Sequence, residues 1–130
     1  MASIEYLHAC DYAFLGQNAK GCLIGIFSNI FVADVPATHP LMALALQVRG
    51  QPNEQVTLDI SILKPNGQQL VGGPAQLALG EEGGAFVAVL LVQTVFPEIG
   101  KYPIVVKSGE NVLAKSALLV RPVAEAPTKG

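Results

Sequence analysis

The chain has 130 residues, a length that fits one domain and leaves roughly 6,600 Å² of surface when folded compactly. Only 14% of the residues are charged, against a usual value of about 25%, while 51% are hydrophobic. Intrinsic disorder needs the reverse balance and is excluded, and a formal net charge of −2 argues against a nucleic-acid binder, which needs a basic face.

The apolar excess raises the question of a membrane. The uncharged stretches 22–33 and 83–97 both fall short of the roughly 20 apolar residues that a spanning helix needs. Residues 86–92 are seven apolar residues in a row and read as a buried strand. The start, Met1-Ala2-Ser3-Ile4-Glu5, lacks the basic and apolar regions of a secretory signal. No membrane span is expected, and the cytoplasm of a bacterium is the expected location.

Alternation dominates the chain and helical periodicity is nearly absent. Ile4, Tyr6, His8, Cys10, Tyr12 and Phe14 share one face of a first strand, with Leu7, Ala9, Ala13 and Leu15 on the other beside Glu5 and Asp11. A loop at 16–21 leads to a return strand over 22–32, with Gly25 inside it as the mark of a bulge or a close packing partner. If the loop is the turn, Cys10 lies opposite Phe27 and Cys22 opposite Leu15. That register keeps the two thiols apart, free and buried.

Asp34-Val35-Pro36-Ala37-Thr38-His39-Pro40 breaks the pattern, and its two prolines predict a crossing connection. Met42, Leu44, Leu46 and Val48 then alternate with Ala43, Ala45, Gln47 and Arg49. Val56, Leu58, Ile60 and Ile62 alternate with Thr57, Asp59, Ser61 and Leu63 in the clearest half-buried strand. Lys64-Pro65-Asn66-Gly67 is a tight turn. A short strand at 68–71 is interrupted by Gly72-Gly73-Pro74, with another edge piece at 75–79. Gly80-Glu81-Glu82-Gly83-Gly84 reads as a hairpin tip. It lacks the basic residues of a phosphate loop and the spaced ligands of an EF-hand. Strands follow over 86–96, 102–107 and 112–121. Seven to nine strands at intervals of about 8–12 residues predict an all-β, Greek-key β-sandwich without significant helix. The sandwich domain spans 1–121, and 122–130 is an extended C-terminal tail.

Cys10-Asp11-Tyr12-Ala13, GCLIGIF at 21–27, Pro36-Ala37-Thr38-His39-Pro40 and the late segment 96–102 together resemble a bacterial family of unknown function. Its members are small single-domain proteins with an immunoglobulin-like β-sandwich. The resemblance covers nearly the whole chain and implies a fold and no activity. Gly100-x-Tyr102 also resembles the tyrosine corner of immunoglobulin-like domains. Ile104 stands where the antibody-type cysteine would be, and there is no Trp, which excludes an antibody-type domain.

Candidate chemistry is sparse. His8 and Cys10 share a strand face roughly 6–7 Å apart. With His39, and Asp11 or Asp34 as a fourth group, they form an alternative small-ligand or metal-binding reading. Only His8 and His39 could serve as a catalytic base, and Ser28 lacks a strand-turn-helix elbow. No enzyme and no cofactor are expected. Asp11 reads as a structural acid that caps backbone N–H groups, pairs with Arg49 or Lys20, or blunts an edge.

The last strand (Leu113, Leu118, Leu119, Val120) and the 86–96 strand are apolar on both faces, whereas a two-layer sandwich needs one dry face per strand. The second face requires a cover: a loop, the N-terminal hairpin or another copy of the chain. Val87, Val89, Leu91 and Val95 are the expected outward interface. The expectation is a non-enzymatic structural or interaction module that forms a homo-oligomer or filament, or binds a protein partner.

Overall fold

Strands with one apolar face must bury that face against another layer, and this chain does so by stacking two sheets. The computed structural model describes residues 2–127. One sheet contains β1 (Ser3–Leu15), β2 (Gly21–Phe27), β4 (Ala37–Arg49) and β7 (Gly84–Phe96) in the order β2-β1-β4-β7. The second contains β3 (Asn29–Val32), β5 (Gln55–Leu63), β6 (Gln69–Ala78), β8 (Gly100–Ser108) and β9 (Asn111–Pro122) in the order β3-β9-β8-β5-β6. The chain changes sheet after β2, β3, β4, β6 and β7, which produces the expected Greek-key sandwich. Helical structure among the described residues is confined to two short 3-10 turns.

The core lies between the sheets. Met42, Leu44, Leu46 and Val48 of β4 meet Leu58, Ile60 and Ile62 of β5, Tyr102, Ile104 and Val106 of β8, and Leu118 and Val120 of β9. Each such side chain contributes about 1.5–3 kcal/mol on burial. The alternation of β5 survives intact: Val56, Leu58, Ile60 and Ile62 are buried, while Thr57 and Asp59 are exposed.

The tyrosine corner is present. Tyr102 is fully buried, and its hydroxyl donates to the Glu98 carbonyl at 2.7 Å and accepts from the Glu98 N–H at 3.0 Å. Its ring meets Phe96 edge-on at 5.0 Å. Ile104, two residues on, is fully buried, so packing occupies the place of the antibody-type disulfide.

Several expectations need correction. The single return strand over 22–32 is two strands. β2 pairs with β1, and after Ser28 the chain passes to the other sheet, where β3 runs parallel to β9. The Leu119 N–H donates to the Ser28 carbonyl at the crossing. The β1–β2 register differs by one residue, because Leu15 pairs with Gly21 and Cys10 faces Ile26. Both cysteines are free, Cys10 buried and Cys22 half-buried. The pieces at 68–71 and 75–79 are one continuous edge strand, β6, and Pro74 is tolerated there because the outer side of β6 has no neighbour.

Pro40 lies inside β4, not in a crossing loop. β1 pairs with β4 only from Ala43 onward, so Pro40 faces β7 on one side and no strand on the other, where a missing N–H is harmless. Opposite it in the β4–β7 register stands Gln93, with left-handed backbone (φ 55°). At this point the alternation of β7 changes phase. Val87, Val89 and Leu91 point inward before it, and Thr94 and Phe96 are buried after it.

Of the tail expected to be extended, Val123–Glu125 forms a 3-10 turn, with Arg121 paired to Glu125 at 3.1 Å. Its last residues, 128–130, lie outside the described residues.

Candidate interaction surface

Beyond Cys10 the first strand leaves the sheet plane. Pairing of β1 with β4 ends at Cys10 and Ala43, while pairing with β2 continues to Leu15 and Gly21. The free end of this hairpin bends over the outer face of its own sheet. Ala13 and Leu23 come down on Ala43, Ala45 and Phe86, and with Cys10 they form a second, smaller core. Small residues permit this. A Cβ at Gly21 would collide with the Phe86 ring, and Ala43 and Ala45 give a flat floor. Gly25 has left-handed backbone (φ 68°), and a Cβ there would collide with the Asp11 carboxylate. That explains an interior glycine in β2.

The N-terminal hairpin therefore supplies part of the cover that the outer face of β4 and β7 needs. The rest stays open. On the outer face Leu90 is 47% and Val92 67% exposed, beside exposed Leu41. The solvent side of the hairpin carries Ile24 and Ile26, at 54% and 59%, with Tyr12 and Phe14, whose rings lie 5.9 Å apart. This surface differs from the expected one. Val87, Val89 and Leu91 line the inside of the sandwich, half-buried against the core, and of the four expected residues Val95 alone is exposed. The reason is phase. The 86–96 segment is apolar at both parities, and burial of the partner residues Leu44 and Leu46, which face Val89 and Val87 in register, decides which parity is inside. Leu90, Val92 and the hairpin residues were not singled out by pattern. The signal in the sequence was the run of apolar residues at both parities, across 86–96 and across 22–27.

Of the ligand-binding candidates, His8, Cys10 and His39 do not meet. His8 faces Ala45 in the register and stacks on Tyr6 at 5.6 Å. His39 lies six positions further along β4, beside Phe27 at 5.8 Å, roughly 20 Å away by strand rise. The Cys10 thiol is turned into the second core, 3.4 Å from the Tyr12 carbonyl and 3.7 Å from that of Ala43. Burial pushes its pKa up, with the Asp11 charge adding to the shift, so the thiolate a metal would need is disfavoured. Among the described residues no group of three or more His, Cys, Asp or Glu side chains is placed to hold a metal ion. The alternative reading built on His8, Cys10 and His39 is thereby set aside. Asp11 does not pair with Arg49 either. Arg49 pairs with Glu5 at 2.7 Å on the surface, which raises its already high pKa. Asp11 and His39 line a shallow hollow with Gly25, Phe27 and Phe31.

One further opening lies on the side where β6 and β7 end their sheets. A cleft of about 250 Å³ reaches the core between them, lined by Leu44, Ile60, Val71, Ala75, Val89 and Leu91. Its walls are apolar, and no titratable side chain reaches it.

The two stacked sheets with their tyrosine corner define an immunoglobulin-like β-sandwich. The chain belongs to a family of unknown function, DUF6941, whose sequence profile matches residues 5–121. No curated protein matches it by sequence. Among solved structures it is similar to an immunoglobulin-like protein from Pseudomonas aeruginosa, with 14% identity and a TM-score of 0.51 over 93% of this chain and 97% of that one. It is also similar to part of an alkylpurine DNA glycosylase from Pseudomonas fluorescens, with 11% identity, a TM-score of 0.56, and 92% and 30% covered. A β-glucosidase from Trichoderma reesei gives 16% identity, a TM-score of 0.55, and 92% and 19% covered. The chain thus spans under a third of the glycosylase and about a fifth of the glucosidase. These likenesses show the fold alone. No helix among the described residues is long and apolar enough to cross a membrane.

Proposed function

We propose that this protein is a non-enzymatic interaction module of the bacterial cytoplasm that acts by associating with further copies of itself. The observation that carries this reading is the open apolar surface formed by Leu41, Leu90 and Val92 with the hairpin residues Tyr12, Phe14, Ile24 and Ile26. Exposed apolar residues scattered singly are normal, but groups of them on one side of a sheet mark an interaction site. The total surface points the same way. It measures 7580 Å², against roughly 6,600 Å² for a compact chain of this mass. The excess, on the order of 1,000 Å², is comparable to the ~800 Å² that each partner contributes to a standard interface.

Catalysis has no comparable support. The apolar cleft is lined by one hydroxyl, Ser61, and by no acid or base that could activate it, and the two histidines stand apart. A protein partner of another kind would use the same surface. Light scattering on the purified protein separates the two. Assembly at micromolar concentration supports self-association, whereas a clean monomer of 13.6 kDa transfers the surface to a different partner.

A further inference from the structure

The geometry points to the free edge of β7 as the contact between two copies of this chain, paired antiparallel across a two-fold axis near Ala88. This inference rests on the self-association reading and places its contact at the sheet edge that borders the open face at Leu90 and Val92. A sheet edge presents a row of unpaired N–H and C=O groups, and proteins blunt such edges with short strands, charges, prolines or covering loops. Three of the four edges here are blunted. β3 is four residues long. β6 is broken in character by Gly72-Gly73-Pro74, which removes side chains and one donor. β2 is kinked at Gly25, where the Asp11 carboxylate lies over the backbone. The fourth edge, β7, is 13 residues long and contains no charged residue and no proline. Its one irregularity, the left-handed Gln93, leaves residues 85–92 as a regular stretch about 27 Å long.

The occupant is another β7 for three reasons. An uncharged strand can lie against itself, because a two-fold axis brings each side chain near its own copy and any charge would meet its like. The apolar cleft between β6 and β7 opens on the same side of the molecule, so the two-fold arrangement brings two clefts face to face and closes both against water. The contact is also of sufficient size. About 27 Å of strand across a sandwich side about 20 Å deep gives on the order of 1,100 Å² over both partners, just above the ~1,000 Å² expected of a specific interface. The result is one eight-stranded sheet running through both copies.

The test uses Ala88→Lys and Ala88→Glu, made in the full chain and measured by native mass spectrometry. Ala88 is solvent-exposed, and circular dichroism checks that each variant keeps its sheet signal. Each variant alone is expected at 13.6 kDa under conditions where the wild type is at twice that mass. Mixing the two variants is expected to restore the doubled mass as a Lys–Glu heterodimer. If both variants stay dimeric alone, or if the mixture stays monomeric, the β7 edge is not the contact, while the self-association reading stands. If the wild type itself is monomeric throughout, that reading fails and takes this inference with it. Should a variant lose its sheet signal, Ala88→Arg and Ala88→Asp, at the same two-fold position, answer the question with the same outcomes.

Discussion

Replacing Tyr102 with Phe removes one oxygen and nothing else. The ring keeps its edge-on contact with Phe96 and its place in the core. What disappears is a pair of hydrogen bonds to the Glu98 backbone, at 2.7 and 3.0 Å, which pin the corner between β7 and β8. Each is worth about 1 kcal/mol net. Because Glu98 itself is exposed, water can reach its backbone groups, which keeps the loss toward the low end, about 1–2 kcal/mol. With a urea slope of about 1.5 kcal/mol per molar, the unfolding midpoint falls by about 1 M. Tyr102→Ala, which also empties the ring's volume, is expected to cost about 3–5 kcal/mol. The hydroxyl adds a pH signature. Burial pushes the Tyr102 pKa above its ordinary value, and the Glu98 charge adds to that. The folded state therefore holds this proton more tightly than the unfolded chain. The resulting stability is complete below about pH 10 and declines as pH rises through the folded pKa. The Phe variant loses that alkaline component. A midpoint shift below about 0.3 M urea would refute the claim that these bonds hold the corner. A shift as large as that of the Ala variant would show that the ring cannot pack without them.

The assignment of faces on β7 is checked by two lysines. Val89→Lys places a charge against Leu44 and is expected to destabilise by about 3–5 kcal/mol, whereas Val92→Lys should stay within about 0.5 kcal/mol of wild type. Equal effects in urea titration would mean that the two faces are wrongly distinguished. Gly25→Ala forces a side chain into the Asp11 carboxylate at a left-handed position and should cost about 1–3 kcal/mol. Asp11→Ala in the same chain should recover part of that loss, and no recovery would place the strain elsewhere. A thiol reagent should modify Cys22 quickly and Cys10 only in denaturant. Rapid loss of two thiols from the native protein would contradict the burial of Cys10.

The legible part of the sequence was the alternation. β5 has polar residues at every second position, so only one register buries its apolar set, and the inside face follows directly. Tyr102 was legible for a similar reason, because Gly100 and the turn before it mark the corner. β7 gave no such constraint. With apolar residues at both parities, its inside face is set by long-range pairing with β4, and Gln93 reverses the phase partway along. No local pattern contains either fact. Pro40 misled because a proline excludes a central strand only where both sides are paired, and β1 bends away from β4 before reaching it. The return strand misled because a chain that changes sheets at Ser28 stays extended throughout. The same bend of the hairpin decided how much of the outer face is covered, and it depends on Gly21 of β2 and Ala43 and Ala45 of β4 all being small. Each is unremarkable alone.

The central claim is that the open apolar surface joins copies of this chain. Native mass spectrometry of the wild type beside Val92→Lys tests it most directly. The account predicts a wild-type mass at a multiple of 13.6 kDa and a folded Val92→Lys variant shifted toward the single-chain mass. A wild type found only at 13.6 kDa, with the variant indistinguishable from it, would contradict the account.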